Sequence, residues 1–561
     1  MDRSTTPEMQ RWLAQPTLFA AKISRRALLG LPVAPAAATR VQVNVWRNHA
    51  FEPLLPLLAP YLGWGRWQAD FRFGGYDDSL SFQGWQAAGV ELLWLDRSRL
   101  RLGAGSFVPW LQSRLQTLRA LSSAPIVLCT WAEDADEAVA LQTAADSLPA
   151  TFFADLGAAC TAENLPLLDS RSAALAGPPL SAPAQPVIAR RLACHWLPAV
   201  ALPPIKALAL DLDHTLHQGV LGEDGVAGVL LTPAHAALQQ YAKSLRQRGI
   251  FLALVSRNEA ADVQRLFAER ADFPLRWSDF SATEVSWGDK GEALQRIAAQ
   301  LRIAPDAVLF VDDNAGELAR VQARLPLLPT VHADADAALT QRAIDHLPGL
   351  WRWKLGADDA RRVRDLACNA ERQRLAASLQ NPEDVLRHLQ VQLALTWDAP
   401  EQLPRAAELC RKTNQFNLAV RRHGEAELAQ RVATGDAAVA TARLSDRLAD
   451  SGTVAVVVAR REGSVLHVED VCISCRAMGR GLEDSIVLLA LRGMAAFEGC
   501  ETVLFDVQQT ERNTPARQWL AALLGSTELP AAGTHRLSAS RLACFMAPDT
   551  ITILEENHAT A

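Results

Sequence analysis

Two aspartates one residue apart, Asp211 and Asp213, follow directly on the apolar run Ile205-Lys206-Ala207-Leu208-Ala209-Leu210. A short, nearly continuous apolar run suits a strand buried on both faces of a parallel sheet, and the C-terminal end of such a strand is where open α/β sheets hold ligands. Carboxylates at i and i+2 there repel each other unless a cation lies between them, which points to a hard metal such as Mg²⁺. Three further segments have the same build. Residues 250–255 form an apolar run ending in Ser256-Arg257-Asn258, where a hydroxyl can hold a phosphate oxygen. Lys290 opens a helical stretch and can neutralise charge on a phosphate and on a nucleophilic carboxylate. Residues 307–311 end in Asp312-Asp313-Asn314, which offers further oxygen ligands. Singly, each has a plainer reading as a helix cap, a turn, a solvated lysine or a loop. Together they point to one phosphoryl-transfer site.

In this order the four segments resemble the motif set of the haloacid-dehalogenase (HAD) superfamily, which implies a Rossmann-like parallel sheet in the middle of the chain. By that resemblance Asp211 attacks phosphorus to give an aspartyl phosphate, and Asp213 first protonates the leaving oxygen and then activates the incoming nucleophile. Mg²⁺ is then held by Asp211, the backbone carbonyl of Asp213, and Asp312, with Asp313 nearby. Ser256, Arg257, Asn258 and Lys290 are placed on the phosphate.

Three more stretches narrow the resemblance. Leu216-His217-Gln218-Gly219-Val220-Leu221-Gly222-Glu223-Asp224-Gly225, Arg411-Lys412-Thr413-Asn414-Gln415-Phe416-Asn417 and Ser474-Cys475-Arg476-Ala477-Met478-Gly479-Arg480-Gly481, with Ser256-Arg257-Asn258, resemble the FkbH-like proteins (HAD subfamily IIIC) over about residues 208–515. The resemblance implies a cytoplasmic enzyme of polyketide-type secondary metabolism. Such an enzyme dephosphorylates a small phosphorylated acyl donor, such as 1,3-bisphosphoglycerate, and loads the glyceryl unit on an acyl carrier protein. Relatives of the same layout join the phosphatase to a CoA-dependent acyltransferase in sugar or surface-polysaccharide synthesis. The chain departs from the family at His214 and His217, usually Asn and Trp, and at Leu212, where many glyceryl-loading members have Cys. Thioester chemistry would then pass through another thiol, such as Cys475, or go directly to the carrier's phosphopantetheine. Surface or capping roles are expected for the two histidines.

The R-x-x-G-x-G of Arg476-Ala477-Met478-Gly479-Arg480-Gly481 lies between strand-like residues 468–473 and helix-like residues 482–491, behind a further apolar run at 454–459. It resembles the pyrophosphate-binding turn of the GNAT acyltransferases, and Thr510-Glu511-Arg512-Asn513-Thr514-Pro515 stands where those proteins carry a Thr/Asn turn. This implies an α+β domain in which Arg476, Gly479, Arg480, Gly481 and Asn513 surround CoA or a phosphopantetheine arm. Backbone N–H groups at a helix start receive phosphates, and glycine permits their approach. Glu469 is a weak candidate base beside Asp470. Cys472 and Cys475 form a C-x-x-C with no second pair at zinc spacing, so two buried structural thiols are expected.

A chain of 561 residues, 49% hydrophobic and 21% charged, calls for several globular domains. No apolar run reaches the ~18 residues of a membrane span, and scattered Lys and Arg with a net charge of −6 leave no footprint for nucleic acid. Neither a membrane nor a nucleic-acid partner is expected. Nine cysteines, an odd number thinly spread, fit a reducing compartment. Ser24-Arg25-Arg26-Ala27-Leu28-Leu29 followed by Ala36-Ala37-Ala38 imitates a twin-arginine export signal, but Pro32 and Pro35 break its apolar stretch, and an amphipathic helix with a linker is preferred.

Pro- and Ala-rich stretches at 32–38, 174–186 and 198–204 read as linkers. The expected division is a helical segment at 1–40, an α/β domain at 41–198, the HAD domain at 199–350, a charged helical linker at 351–388, and a GNAT-like domain at 389–561. The 41–198 domain is similar to the SGNH-hydrolase fold. Its first strand, however, ends in Trp46-Arg47-Asn48-His49 rather than a Gly-Asp-Ser nucleophile turn, so it is expected to be non-catalytic. Gly74-Gly75-Tyr76-Asp77-Asp78 reads as a turn. The arginines of the linker helix, residues 361–374, could receive an acidic carrier protein.

Overall fold

The computed structural model describes residues 6–32, 39–100, 102, 107–169, 180–354, 357–379 and 381–556. The chain divides into two compact units, Met1–Leu355 and Gly356–Ala561.

The first unit contains two five-stranded sheets, parallel throughout. In the first, β1 (Thr39–Arg47), β2 (Trp67–Tyr76), β3 (Val90–Trp94), β4 (Ile126–Thr130) and β5 (Thr151–Asp155) lie in the order β2-β1-β3-β4-β5. In the second, β6 (Ala207–Leu210), β7 (Phe251–Ser256), β8 (Ala282–Val285), β9 (Val308–Asp312) and β10 (Thr330–His332) lie in the order β10-β9-β6-β7-β8. β6, β7 and β9 are buried at every position, which is why they read as unbroken apolar runs: helices cover both faces of a parallel sheet.

β6 is the centre of the second sheet, with β7 on one side and β9 on the other. That reversal of strand order opens a crevice at the C-terminal ends of the strands, where side chains from three loops converge. Sequence punctuation sets the helices that follow. Thr232 caps Pro233–Gln247, Asp289 caps Lys290–Gln300 and Asn314 caps Ala315–Arg324, each accepting backbone N–H bonds of the first turn.

One hydrophobic core runs through this unit, from Leu18, Leu28 and Trp64 to Leu208, Leu254 and Ile344. The helix Pro7–Leu18 is tied to β10: Arg11 Nη2 donates to Thr330 O and Oγ1 at 3.0 and 2.8 Å, and Gln15 Nε2 donates to His332 O at 2.8 Å. Residues Arg25–Leu29 form a short helix capped by Ser24 with Leu28 buried in the core; Ala36-Ala37-Ala38 lie outside the described residues.

Two linker expectations need correction. Residues 198–204 begin as the helix Pro198–Ala201, with Pro198 and Val200 buried. The end of the 174–186 stretch, of which residues 174–179 lie outside the described residues, enters the buried helix Ala184–Arg191. Proline fits the first turn of a helix, where its missing N–H is not needed, so a Pro/Ala composition did not distinguish a linker from a helix start. The turn expected at 74–78 is found only at its end: Gly74, Gly75 and Tyr76 belong to β2, and the chain turns from Asp77, which accepts from the backbone and side chains of Ser79 and Ser81.

The second unit is built on one mixed sheet. Its strands β11 (Gln392–Trp397), β12 (Ala438–Ser445), β13 (Asp450–Glu462), β14 (Val465–Ile473), β15 (Thr502–Val507), β16 (Gly533–Ser538) and β17 (Thr552–Glu556) lie in the order β16-β15-β14-β13-β12-β11-β17. β11 through β14 run antiparallel, and β14/β15 and β11/β17 pair parallel. The helix Glu483–Arg492 follows β14, and the charged stretch before the sheet is the helix Ala357–Ser378. Among the described residues no helix is long and apolar enough to cross a membrane.

Candidate active site

Asp211 follows the last residue of β6, Asp312 ends β9 and Lys290 is the first residue of the helix Lys290–Gln300. All three side chains are buried, and the Lys290 ammonium donates to Asp211 Oδ1 at 2.8 Å and to Asp312 Oδ2 at 2.5 Å. Burial pushes the Asp211 carboxyl well above the usual carboxylate range; Lys290 opposes this and Asp312 adds to it. Burial alone would lower Lys290, but Asp211 and Asp312 together outweigh it and raise the ammonium. Asp313, half-buried beside Asp312, is raised by burial and then by its neighbour's charge.

Two buried carboxylates therefore share Lys290, with Asp313 alongside them. Asp211, Asp312 and Asp313 offer oxygens that lie within 4.8 Å of one another. This all-oxygen set with an excess of negative charge fits a hard divalent cation such as Mg²⁺.

Asp213 is turned to a different task. Its Oδ1 accepts from Leu221 N at 2.9 Å, and its Oδ2 accepts from Asn258 Nδ2 at 2.8 Å. Leu221 is the first residue of the helix Leu221–Gly228, so the Gly-Glu-Asp-Gly stretch builds a helix start that holds this carboxylate. The loop before it is tight: Gly219 has φ +101°, and a Cβ there would come within 2.6 Å of Asp224 Oδ2. Reciprocal bonds between Gln218 and Leu230, both 2.9 Å, close the loop at its base.

Ser256 ends β7 with its hydroxyl buried, accepting from Asn258 Nδ2 at 3.0 Å. One amide thus orients both Ser256 and Asp213. Arg257, expected on the phosphate, instead pairs with Glu317 at 3.1 Å; a carboxylate on the neighbouring helix meets its charge, and nothing in the local sequence marks Glu317 as its partner. Leu212 is fully buried in the core between the two aspartates. His214 is exposed, as expected, but His217 is not: it is fully buried with Nε2 3.6 Å from Asp213 Oδ1, and burial pushes the imidazole down. The loop folds back on itself to bring the i+4 side chain under Asp213, which a surface or capping role did not anticipate.

In the second unit, Gly479 and Gly481 have φ of +72° and +71°, the left-handed region that glycine enters without strain. The rest of that turn is satisfied from within the chain. Gly479 N donates to Glu483 Oε1 at 2.7 Å, Arg476 Nη1 donates to Ser451 O at 2.6 Å, and Arg480 lies 3.3 Å from Asp446 and 3.6 Å from Asp365. Asn513 is fully buried, with its Nδ2 donating to Asn417 O at 3.0 Å and Gln508 O at 2.6 Å. It ties two backbone segments together rather than facing a ligand, because a buried amide must spend its donors on nearby carbonyls. Glu469 is surrounded by Arg421, Arg431 and Arg460 at 3.3, 2.6 and 3.0 Å, which suits an ion pair rather than a base. Cys472 is buried, whereas Cys475 is half-buried on the turn beyond the strand.

No family model matches the chain. Among curated proteins, the Enolase-phosphatase E1 of a Synechococcus species is 32% identical over 135 residues, which cover 22% of this chain and 53% of that protein. The chain thus spans about half the length of the curated relative it matches. Among solved structures, the N-terminal, phosphatase-domain part of a Bacteroides fragilis protein, complexed with Mg, is 18% identical with a TM-score of 0.44, covering 61% of this chain and 99% of that one. A putative HAD family hydrolase from Streptomyces avermitilis is 20% identical with a TM-score of 0.19, covering 27% of this chain and 96% of its own.

Proposed function

We propose that the chain hydrolyses or transfers the phosphoryl group of a small phosphorylated acyl donor through an aspartyl phosphate on Asp211. The observation that carries this reading is the buried Lys290 bridge between Asp211 and Asp312, with Asp213 held apart by Leu221 N and Asn258. Asp211 and Asp312, with Asp313 and the Asp213 carbonyl, would hold Mg²⁺, which when bound supplies positive charge against the phosphoryl oxygens. The Asp211 carboxylate forms the new P–O bond as the bond to the leaving oxygen breaks, and Asp213 delivers its proton to that oxygen. Asp213 then takes a proton from the entering nucleophile, which releases the phosphoryl group. Lys290 partly offsets the cost of ionising Asp211 in a buried site and shares the charge of the phosphoryl oxygens. Ser256, beside Asn258, faces the same strand ends.

Hydrolysis of p-nitrophenyl phosphate with Mg²⁺ tests the chemistry. Asp211→Asn is expected to lower kcat by roughly 10³-fold or more with the fold retained; undiminished activity in that variant would overturn the assignment.

For the acyl group we infer transfer to an acyl carrier protein, as in FkbH-like enzymes. The Gly-Glu-Asp-Gly helix start and the segments around Asn417 and Arg476 support this. Leu212, buried in the core, leaves the half-buried Cys475 or direct transfer to the phosphopantetheine thiol as the route. Intact-mass analysis of a carrier protein incubated with the enzyme, Mg²⁺ and 1,3-bisphosphoglycerate should show added glyceryl mass; an unchanged carrier removes this substrate. A second reading, a phosphatase joined to a CoA-dependent acyltransferase of sugar or surface-polysaccharide synthesis, is favoured by the left-handed Gly479 and Gly481 at the approach to the helix Glu483–Arg492. It requires CoA to displace Glu483 from Gly479 N, and calorimetry with CoA decides it.

A further inference from the structure

Away from the phosphatase loops, three metal-binding side chains meet in the interior of the second unit. Cys410 lies near the end of the helix Leu403–Lys412, while Asp470 and Cys472 sit two apart on β14 and so share a face. Both thiols are fully buried, Asp470 is 1% exposed, and ligand atoms of the three lie within 4.8 Å of one another. Asp470 Oδ1 is occupied by Ala419 N and Val471 N, at 3.1 and 3.0 Å, but Oδ2 is buried without a partner. An unpaired carboxylate oxygen in an apolar layer is costly to keep, and it marks a place where a cation would be stabilised.

His423 lies farther along the chain's path, outside the three-residue set whose ligand atoms lie within 4.8 Å of one another. The segment after Cys410 returns along β14, with Asn417 opposite Cys472 and Leu418 N bonded to Val471 O. Arg422 then reaches back to Cys410 O at 2.9 Å. The next residue, His423, is buried; its Nδ1 is 2.8 Å from Glu427 Oε1, and its Nε2 has no partner.

We propose that Cys410, Cys472 and Asp470 form a Zn²⁺ site. Two thiols and a carboxylate are a zinc ligand set that leaves the fourth position to water, whereas Mg²⁺ would reject the sulfurs. Binding forms two Zn–S bonds and releases the two thiol protons to solvent; Asp470 donates an electron pair without further proton loss. The ion would clamp the helix Leu403–Lys412 to β14 and fix the segment carrying Asn417. The other buried histidine cluster, His195 with Asp345 and His346, does not suit a cation: Arg191 lies 3.0 Å from His195 Nδ1, and Tyr241 occupies an Asp345 oxygen.

The full-length chain, purified under reducing conditions, equilibrated with Zn²⁺ and then dialysed, should retain one zinc per chain by elemental analysis. Co²⁺ in its place should give a thiolate-to-cobalt charge-transfer band. Both signals should vanish in Cys410→Ser/Cys472→Ser, whereas Asp312→Asn should keep them. To guard against a double variant that fails to fold, mercurial titration of the unaltered chain should release zinc in step with two thiols. Zinc lost on dialysis, zinc retained by the folded double variant, zinc release out of step with the thiols, or a Cys410–Cys472 disulfide in the reduced preparation would each overturn the proposal.

Discussion

Asn258 is the residue on which the geometry of the candidate site depends without itself carrying charge. Its amide nitrogen holds Asp213 Oδ2 at 2.8 Å and Ser256 Oγ at 3.0 Å, so it sets where the Asp213 carboxylate points. Asn258→Ala leaves Asp213 Oδ2 without its donor, and the carboxylate is then held only from the Oδ1 side, by Leu221 N–H and the nearby His217. A positioned general acid or base contributes about 10²–10⁴-fold, and partial loss of its orientation should lower kcat roughly 10–100-fold with KM little changed. Steady-state kinetics over a pH series checks this; a fall confined to KM would mean that Asn258 binds substrate rather than positions Asp213. The partners of Asp211, Lys290 and Asp312 were legible in the sequence because each stands at the end or start of an element whose apolar pattern locates it. Arg257 and His217 were not. Arg257 meets Glu317 from another helix, and His217 is buried by the fold of its own loop, so neither contact is written in local spacing.

At the scale of elements, the chain was most legible where hydrophobic periodicity is strongest, and β6, β7 and β9 emerge where the apolar runs lie. It was least legible where composition stood in for structure: the Pro/Ala stretch at 198–204 opens a helix because proline suits a first turn. Close packing between elements cannot be read from sequence either, and Gly493 shows why. It ends the helix Glu483–Arg492, and a Cβ there would lie within 2.8 Å of three ring atoms of Trp397, whose Nε1 donates to Ala490 O at 2.8 Å. The glycine is needed for the close approach of helix and strand β11 rather than for its φ of −79°. Gly493→Ala forces the indole or the helix to shift and should destabilise the second unit by about 1–3 kcal/mol, a typical cost of overpacking. Urea unfolding followed by far-UV circular dichroism measures this, and a stability equal to that of the parent chain would show that Trp397 can move aside freely.

On the scale of the whole molecule, the first unit carries buried histidines that fold in the neutral form. Burial lowers His49 to about 4 and His195 to about 3, and it takes His346 well below its usual range, with Arg190 adding to the effect on His346. Each binds fewer protons folded than unfolded between its lowered value and the ordinary histidine value near 6.5. Stability therefore rises with pH across that window and is lost as pH falls through it. For His49 alone the loss is about 2 kcal/mol by pH 5. The raised carboxyl of Asp211 works in the opposite sense; Mg²⁺ held there as proposed would keep it ionised and out of the balance, so the measurement is made with Mg²⁺ present. Thirteen of the fifteen tryptophans lie before residue 355, so indole emission follows the first unit almost alone. Its urea midpoint should fall steadily from pH 7 to pH 5. His49 stacks on Trp94 with ring centroids 5.2 Å apart and makes no hydrogen bond through either nitrogen. His49→Phe keeps the stacking while removing the site of protonation, so it should match the parent chain near pH 7 and lose less stability at pH 5. Parallel midpoints for the two chains across that range would mean that His49 takes up no proton on unfolding.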